Sequence, residues 1–302
     1  MKQAAASVPS RLAGLVGTEH VISEASLLSA YEVDGVRPSV ALRPGTAAEV
    51  VEIIRLAASE RLAVLPSAGR TMLGIGMPPQ RYDVALDLSR MDRVLAFDPS
   101  DLTLGVEPGV RFEELEKHLA LSRQFLPLAP AFAGRATLGG MIAAGADSPL
   151  RHAHGSARDQ ILGLEFVSGA GVAAKSGGRV VKNVSGYDMH QLLVGSLGTL
   201  AVITRLNFRT LPIPPAERIF VASFSSQDAA LELCRTLAKS PLQPRLVEVV
   251  NPLAGRILAS AHIQGDRWSV VVGVAAHPVV VDRHQRDLDR LAREARASGL
   301  IA

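Results

Sequence analysis

The segment Ala136–Gly145 (ATLGGMIAAG) sets glycines inside a stretch whose alanine, leucine and isoleucine residues otherwise favour helix. A second small-residue turn, His154–Gly163 (HGSARDQILG), follows closely. Each glycine within a helix costs about 1 kcal/mol relative to alanine. That cost is offset either by a neighbouring element packed against the bare backbone or by a ligand approaching it. The segment alone leaves both readings open. Two nucleotide fingerprints are absent: no G-x-G-x-x-G joins a strand to a helix, and no G-x-x-x-x-G-K-[ST] occurs. An ordinary Rossmann site and a P-loop are therefore excluded.

Thr137 is a candidate helix N-cap, and the loop Pro66–Thr71 (PSAGRT) follows a short apolar run, Leu62–Leu65. Small side chains let backbone N–H groups touch an anion, and a helix N-terminus adds partial positive charge. Two such segments from different units can hold the two ends of a diphosphate.

Size and composition fit a folded, ligand-binding chain. A length of 302 residues suffices for one large domain or two ordinary ones. Apolar residues at 48% against charged residues at 20% exclude a disordered chain. The formal charge of +3 is dispersed, and three tyrosines with one tryptophan offer little for stacking bases, so no nucleic acid partner is expected. Cys234 is the sole cysteine; it cannot form an internal disulfide, which suits a reducing compartment. The first residues lack a sustained apolar core, so no signal peptide is expected. Trp268–Val281 is shorter than the ~20 residues of a membrane helix and contains His277 and Pro278. A buried strand is expected there, no transmembrane span, and a cytoplasmic location.

Along the chain, Thr46 and Glu49 have capping-box spacing ahead of an apolar stripe of Val50, Ile53, Ile54 and Ala57. Strands are expected at Asp83–Leu88, Arg93–Phe97 and Leu102–Glu107, then an amphipathic helix at Arg111–Leu119. A hairpin is expected from Ile161–Val167 and Val172–Lys175, a helix near Tyr187–Val194 and a long strand at Gly198–Phe208. The Pro212–Pro215 stretch marks a boundary. Beyond it a β-α-β-β-α order reads as a small antiparallel module. The fold class is α+β, with a first domain over 1–212, subdomains of about 30–125 and 126–212, and a short C-terminal module over 213–302.

In order along the chain stand Ala136–Gly145, Gly155–Gly163, Lys182–Asp188 (KNVSGYD) and Val194–Thr204 (VGSLGTLAVIT). Together they resemble the FAD-binding domain of the vanillyl-alcohol oxidase and p-cresol methylhydroxylase superfamily over about Arg43–Pro212. Within it they are most similar to the FAD-binding subunits of bacterial glycolate oxidases. The resemblance implies two α/β subdomains gripping an extended FAD. It brings Pro66, Ser67, Ala68, Gly69, Arg70 and Thr71, with Thr137, Gly139 and Gly140, to the pyrophosphate. Ala144 and Gly145 lie beside the cofactor, Asp159 and Ile161 flank it, and Gly198, Val202 and Ile203 pack near the adenine. The first loop departs from the family pattern of an arginine followed by several glycines, since only Gly69 stands between Ala68 and Arg70.

The resemblance further implies oxidation of glycolate, a 2-hydroxy acid, to glyoxylate by hydride transfer to flavin. It implies a complex with a larger flavin subunit and an iron–sulfur subunit, with any peripheral membrane association made through those partners. This chain has no cysteine set for a cluster. No histidine or cysteine is placed for a covalent flavin link, so FAD is expected to be noncovalent. Only about ninety residues follow Pro212, fewer than the substrate-capping domains of related oxidases. A self-sufficient dehydrogenase of another 2-hydroxy acid and a flavin-free scaffold stay open as alternatives. No catalytic base is identified. His152 and His154 form an H-x-H pair without further ligands, so loop histidines and no metal site are expected. His190 is expected to be a partly buried helix residue and Cys234 a core residue. Asp188 and Arg205 suit either a carboxylate substrate or surface pairing.

Overall fold

The computed structural model describes residues 8–179, 186–258, 260 and 262–302. It divides into two compact units, Met1–Asp147 with Ala157–Leu211 and Ser148–Ser156 with Pro212–Ala302. Helices and sheets mix in both, as an α+β class requires.

The first unit opens with β1 (Val21–Ile22), β2 (Val40–Leu42), β3 (Val64–Ser67) and β4 (Val84–Asp87), in the sheet order β1-β2-β4-β3. The strands β2 and β3 both run parallel to β4, in register Val40↔Val84 and Ser67↔Asp87. Continuous apolar runs such as Val84–Leu86 suit parallel strands covered on both faces. Helix Ala47–Ser59 links β2 to β3 and buries Val50, Ile53, Ile54 and Ala57. Its start is closed by Thr46 Oγ1, which accepts the Glu49 N–H at 3.2 Å. Glu49 reaches back one residue further than a simple capping box, accepting the Gly45 N–H at 2.9 Å. Such a cap contributes about 1 kcal/mol.

A second sheet contains β5 (Val94–Asp98), β6 (Thr103–Val106), β7 (Ile161–Ser168), β8 (Ala173–Gly177) and β9 (Ala201–Arg209). They run antiparallel in the order β5-β6-β9-β7-β8. The sheets therefore change between Asp87 and Val94, ahead of the subdomain division expected near residue 125. Local sequence marks β5 and β6 as strands, but the second partner of β6, β9, lies some hundred residues on and gives no local signal. Helices Phe112–Ala120 and Leu138–Ala144 pack on this sheet around Leu104, Leu206 and Phe208. In β9, Ala201 and Ile203 share that core with Leu206 and Phe208, a change from odd to even positions. A register shift between Ile203 and Arg205 makes the change possible, as a β-bulge does. Val202 points the other way and joins Val167 in the core under β2 and β4.

The second unit is built on β10 (Ala216–Phe224), β11 (Leu246–Val250), β12 (Trp268–Ala276) and β13 (Gly299–Ile301), antiparallel in the order β11-β12-β10-β13. Helices Gln227–Lys239 and Pro278–Glu294 bury Leu233, Leu237, Leu288 and Leu291 against it. A helix at Pro252–Leu258 and the closing β13 extend the expected order. The apolar run Trp268–Val281 is a strand only to Ala276; Pro278 then starts a helix, where its missing N–H costs nothing. Cys234 borders this core, half-buried, and burial raises its thiol pKa. Among the described residues no helix is long and apolar enough to cross a membrane.

Candidate functional site

A cavity of about 430 Å³ opens in the first unit at the end of β3. Its volume lies within the ~300–1,000 Å³ of small-molecule and cofactor sites. Three stretches distant in sequence supply its walls: the loop from Pro66, the segment from Thr137 to Ala144, and Leu197–Ile203.

Unused hydrogen-bonding groups gather here. Ser67 Oγ and Thr137 Oγ1 are buried with no partner among the described residues, although both residues line the cavity. The N–H groups of Ala68, Gly69, Arg70, Thr71 and Gly140 likewise make no hydrogen bond within the described residues. Buried polar groups are nearly always paired, so the two orphaned hydroxyls, beside open N–H groups on half-buried loop residues and on exposed Gly140, mark a place for an acceptor-rich ligand. The helix at Leu138 is less open than its composition suggests. The N–H groups of Leu138 and Gly139 donate to Val110 O at 3.0 Å and Pro108 O at 2.8 Å. Thr137 occupies the N-cap position but makes no side-chain cap bond, which leaves its hydroxyl unused.

The two central glycines answer to different constraints. A Cβ on Gly139 would stand 2.5 Å from Pro108 Cβ, so this glycine serves close packing. A Cβ on Gly140 would meet only Thr137 Oγ1, at 3.2 Å, and Gly140 lines the cavity. At Gly69 a Cβ would fall 2.1 Å from Arg135 O, a distance no side chain tolerates. Both readings of the small residues therefore hold, each at its own position.

Arg70 lines the cavity, yet its charge is already matched. Its Nη1 lies 3.0 Å from Asp87 Oδ2, and its guanidinium stacks 4.5 Å from the Tyr31 ring centroid. Tyr31 Oη donates to the same Asp87 oxygen at 2.6 Å, and the Ser89 N–H donates to Asp87 Oδ1 at 2.9 Å. Burial, aided by the Asp87 hydrogen bond, pushes the Tyr31 pKa up to about 12. Burial also raises that of the neighbouring Tyr82.

The structure brings Pro66, Ser67, Ala68, Gly69, Arg70 and Thr71 to the cavity, together with Thr137, Gly139, Gly140, Ala144, Gly198 and Ile203. Gly145, Asp159, Ile161 and Val202 do not line it. Val202 is turned away by strand alternation, since its neighbours Ala201 and Ile203 face the cavity. Gly145 ends its helix in left-handed conformation, φ 62°, close to Gly195. Asp159 sits in the short helix Ala157–Gln160, and Ile161 is buried at the start of β7.

Other candidates lie away from the cavity. His190 is buried on helix Met189–Leu193, its Nδ1 2.9 Å from Ser176 Oγ. Because Ser176 Oγ donates to Tyr187 O, it accepts from His190 Nδ1–H, which fixes the imidazole tautomer. Arg205 lies 3.5 Å from Glu165 Oε1, and Asp188 precedes the His190 helix. Lys182–Ser185 of the third resemblance segment lie outside the described residues. His152 and His154 stand on a helix, Arg151–His154, rather than in a loop. Burial and then the Arg245 charge lower the His154 pKa. No metal-ligand cluster occurs among the described residues. Leu73, Ile75, Met77 and Leu197 also wall the cavity, none of them a residue that the sequence reading singled out. The first three alternate with Gly74 and Gly76, a strand-like period of two that forms no strand here, while Leu197 stands within the resemblance segment Val194–Thr204.

Residues 38–177 match the FAD binding domain family. Over that span, a little under half of its 302 residues, the chain is similar to this family. Glycolate oxidase subunit GlcE of Escherichia coli is 34% identical over 198 residues, covering 65% of this chain and 54% of that protein. D-2-hydroxyglutarate dehydrogenase of Xanthomonas citri pv. viticola is 33% identical over 192 residues, covering 63% of this chain and 40% of its own length. The chain thus spans about half or less of these curated relatives. In fold it aligns with p-cresol methylhydroxylase at a TM-score of 0.82 and 18% identity, over 97% of this chain and 65% of that one. FAD suits the donor set described above, because its diphosphate presents only acceptor oxygens to the free hydroxyl and N–H groups.

Proposed function

We propose that this chain is the FAD-binding subunit of a complex that oxidises glycolate, a 2-hydroxy acid, to glyoxylate. The observation that carries the reading is the convergence of unused donors from the Pro66–Thr71 loop and the Thr137–Gly140 turn on one cavity. In this reading the Ser67 and Thr137 hydroxyls and the N–H groups of Ala68–Thr71 and Gly140 hold the diphosphate. Leu73, Ile75, Leu197 and Ile203 supply apolar walls that exclude water from the planar parts of the ligand. Arg70, paired with Asp87, contributes shape and backbone rather than net charge. When bound, FAD supplies a hydride acceptor for the α-carbon of the substrate. The protein's part is to bind and orient that group.

A 2-hydroxy acid is supported by the names of both relatives, glycolate oxidase and D-2-hydroxyglutarate dehydrogenase. A multi-subunit assembly is supported by the first relative's designation as a subunit. The partners proposed are a larger flavin subunit and an iron–sulfur subunit, since Cys234 alone cannot hold a cluster.

The test begins with the purified chain. Acid is expected to release stoichiometric, noncovalently bound FAD, and a colourless preparation that takes up no FAD overturns the proposal. Glycolate turnover with a dye acceptor is expected only when the partner subunits are co-expressed. Turnover of another 2-hydroxy acid by the isolated chain would instead identify a self-sufficient dehydrogenase.

A further inference from the structure

Arg70 holds a left-handed backbone conformation, φ 53°, within the loop that lines the cavity. That conformation is costly for a side chain other than glycine and persists only where its surroundings impose it. Three contacts impose it here. Asp87, aligned with Ser67 across the β3–β4 ladder, pairs with the guanidinium at 3.0 Å. Tyr31 lies under the guanidinium at 4.5 Å, and its hydroxyl donates to Asp87 Oδ2 at 2.6 Å. Tyr31 and Asp87 are 3% and 2% exposed, so the bond between them is shielded from bulk water, while the Arg70 side chain remains 29% exposed.

We infer that Tyr31 is a positioning residue for the cofactor loop, holding Arg70 in its left-handed state through its ring and through Asp87. Tyr31 closes a short 3-10 helix, Ser29–Tyr31, and is not itself a cavity residue. Its hydroxyl fixes the carboxylate, the carboxylate fixes the guanidinium, and the guanidinium fixes the backbone of Gly69–Thr71. That backbone leaves the N–H groups of the loop unbonded beside the cavity. The inference rests on the FAD reading for what the loop holds, but the clamp itself is testable without flavin.

Trypsin cleaves after Arg70 only if its side chain leaves Asp87 and the loop opens. In the full-length chain without FAD, Tyr31→Phe is expected to speed that cleavage on the order of tenfold, the effect of losing one hydrogen bond to a charged group. Cleavage at other sites is expected to be unchanged. An unchanged rate after Arg70 overturns the proposal. FAD titrations supply the second measurement. Tyr31→Phe is expected to weaken binding by a similar factor, whereas glycine reaches positive φ unaided. In an Arg70→Gly background, Tyr31→Phe is therefore expected to have no further effect, and an undiminished loss there also overturns the proposal. Should Tyr31→Phe fail to fold, Arg70→Leu keeps the Tyr31–Asp87 bond and is expected to loosen FAD; unchanged affinity would count against the clamp. If no form binds FAD, the flavin reading fails while the tryptic rates still decide the role of Tyr31.

Discussion

At the scale of single residues, the hydroxyl of Thr137 separates the requirements of the fold from those of the ligand. It is buried, bonds to nothing among the described residues and does not cap its own helix. An unsatisfied buried hydroxyl costs about 1–3 kcal/mol, and a hydrogen bond to a charged group returns about 1.5–3 kcal/mol. Thr137→Val keeps the shape and removes the hydroxyl. It is expected to hold or raise the melting temperature of the flavin-free chain while weakening FAD binding by roughly tenfold or more. Parallel thermal unfolding and flavin titration would sink the assignment if both quantities fell together. Tyr31 makes a separate prediction about pH. Its folded pKa, about 12, stands above the ordinary 10.0, so folding favours the protonated phenol. The unfolded chain loses that proton first, and the stabilisation present below pH 10 declines as pH rises toward 12. Stability measured through this window is expected to fall less steeply in Tyr31→Phe than in the parent chain.

At the scale of elements, the adjacent glycines of helix Leu138–Ala144 are expected to respond in opposite ways. Gly139→Ala drives a methyl group to within 2.5 Å of Pro108 Cβ and 2.9 Å of Pro108 O. Such overpacking costs about 1–3 kcal/mol and lowers the melting temperature by several degrees. Gly140→Ala meets only Thr137 Oγ1, and helix propensity gains up to about 1 kcal/mol. Its methyl group enters the cavity wall, so FAD affinity is expected to fall while the flavin-free chain stays as stable or becomes more so. Equal losses of stability in both variants would contradict the division of roles. The sequence showed why this segment matters, because glycine in a helix demands a reason, and it showed the Thr46–Glu49 cap, a purely local device. It did not show which glycine serves packing, since Pro108 meets Gly139 only in three dimensions. Nor did it orient Val202: a bulge near Thr204 reverses the alternation that the apolar pattern of β9 implies. Tyr31 carries no local signal at all, because its role exists only once β4 brings Asp87 beside the loop.

At the scale of the whole molecule, the second unit is not a tail appended after Leu211. It includes Ser148–Ser156, a stretch that leaves the first unit after Asp147 and returns at Ala157. Within that stretch Leu150 is buried, and helix Arg151–His154 packs beside β11. Burial and the nearby Arg245 charge depress the His154 pKa, as expected for an imidazole held inside this unit. Removing everything after Leu211 would therefore strip the cover from an internal loop as well as delete a C-terminal module. The cavity lining lies entirely within the first unit, so a chain ending at Leu211 is expected to retain FAD binding. The same truncation is expected to make Ser148–Ser156 a preferred proteolytic site. Arg151 is exposed in the full chain but helical, and a protease needs several residues of extended backbone. Limited trypsin digestion, with fragments identified by mass, is expected to show rapid cleavage after Arg151 in the truncated chain and slow cleavage in the full one. Equal rates would mean that this loop is ordered by the first unit, and that the second unit folds from Pro212 onward without it.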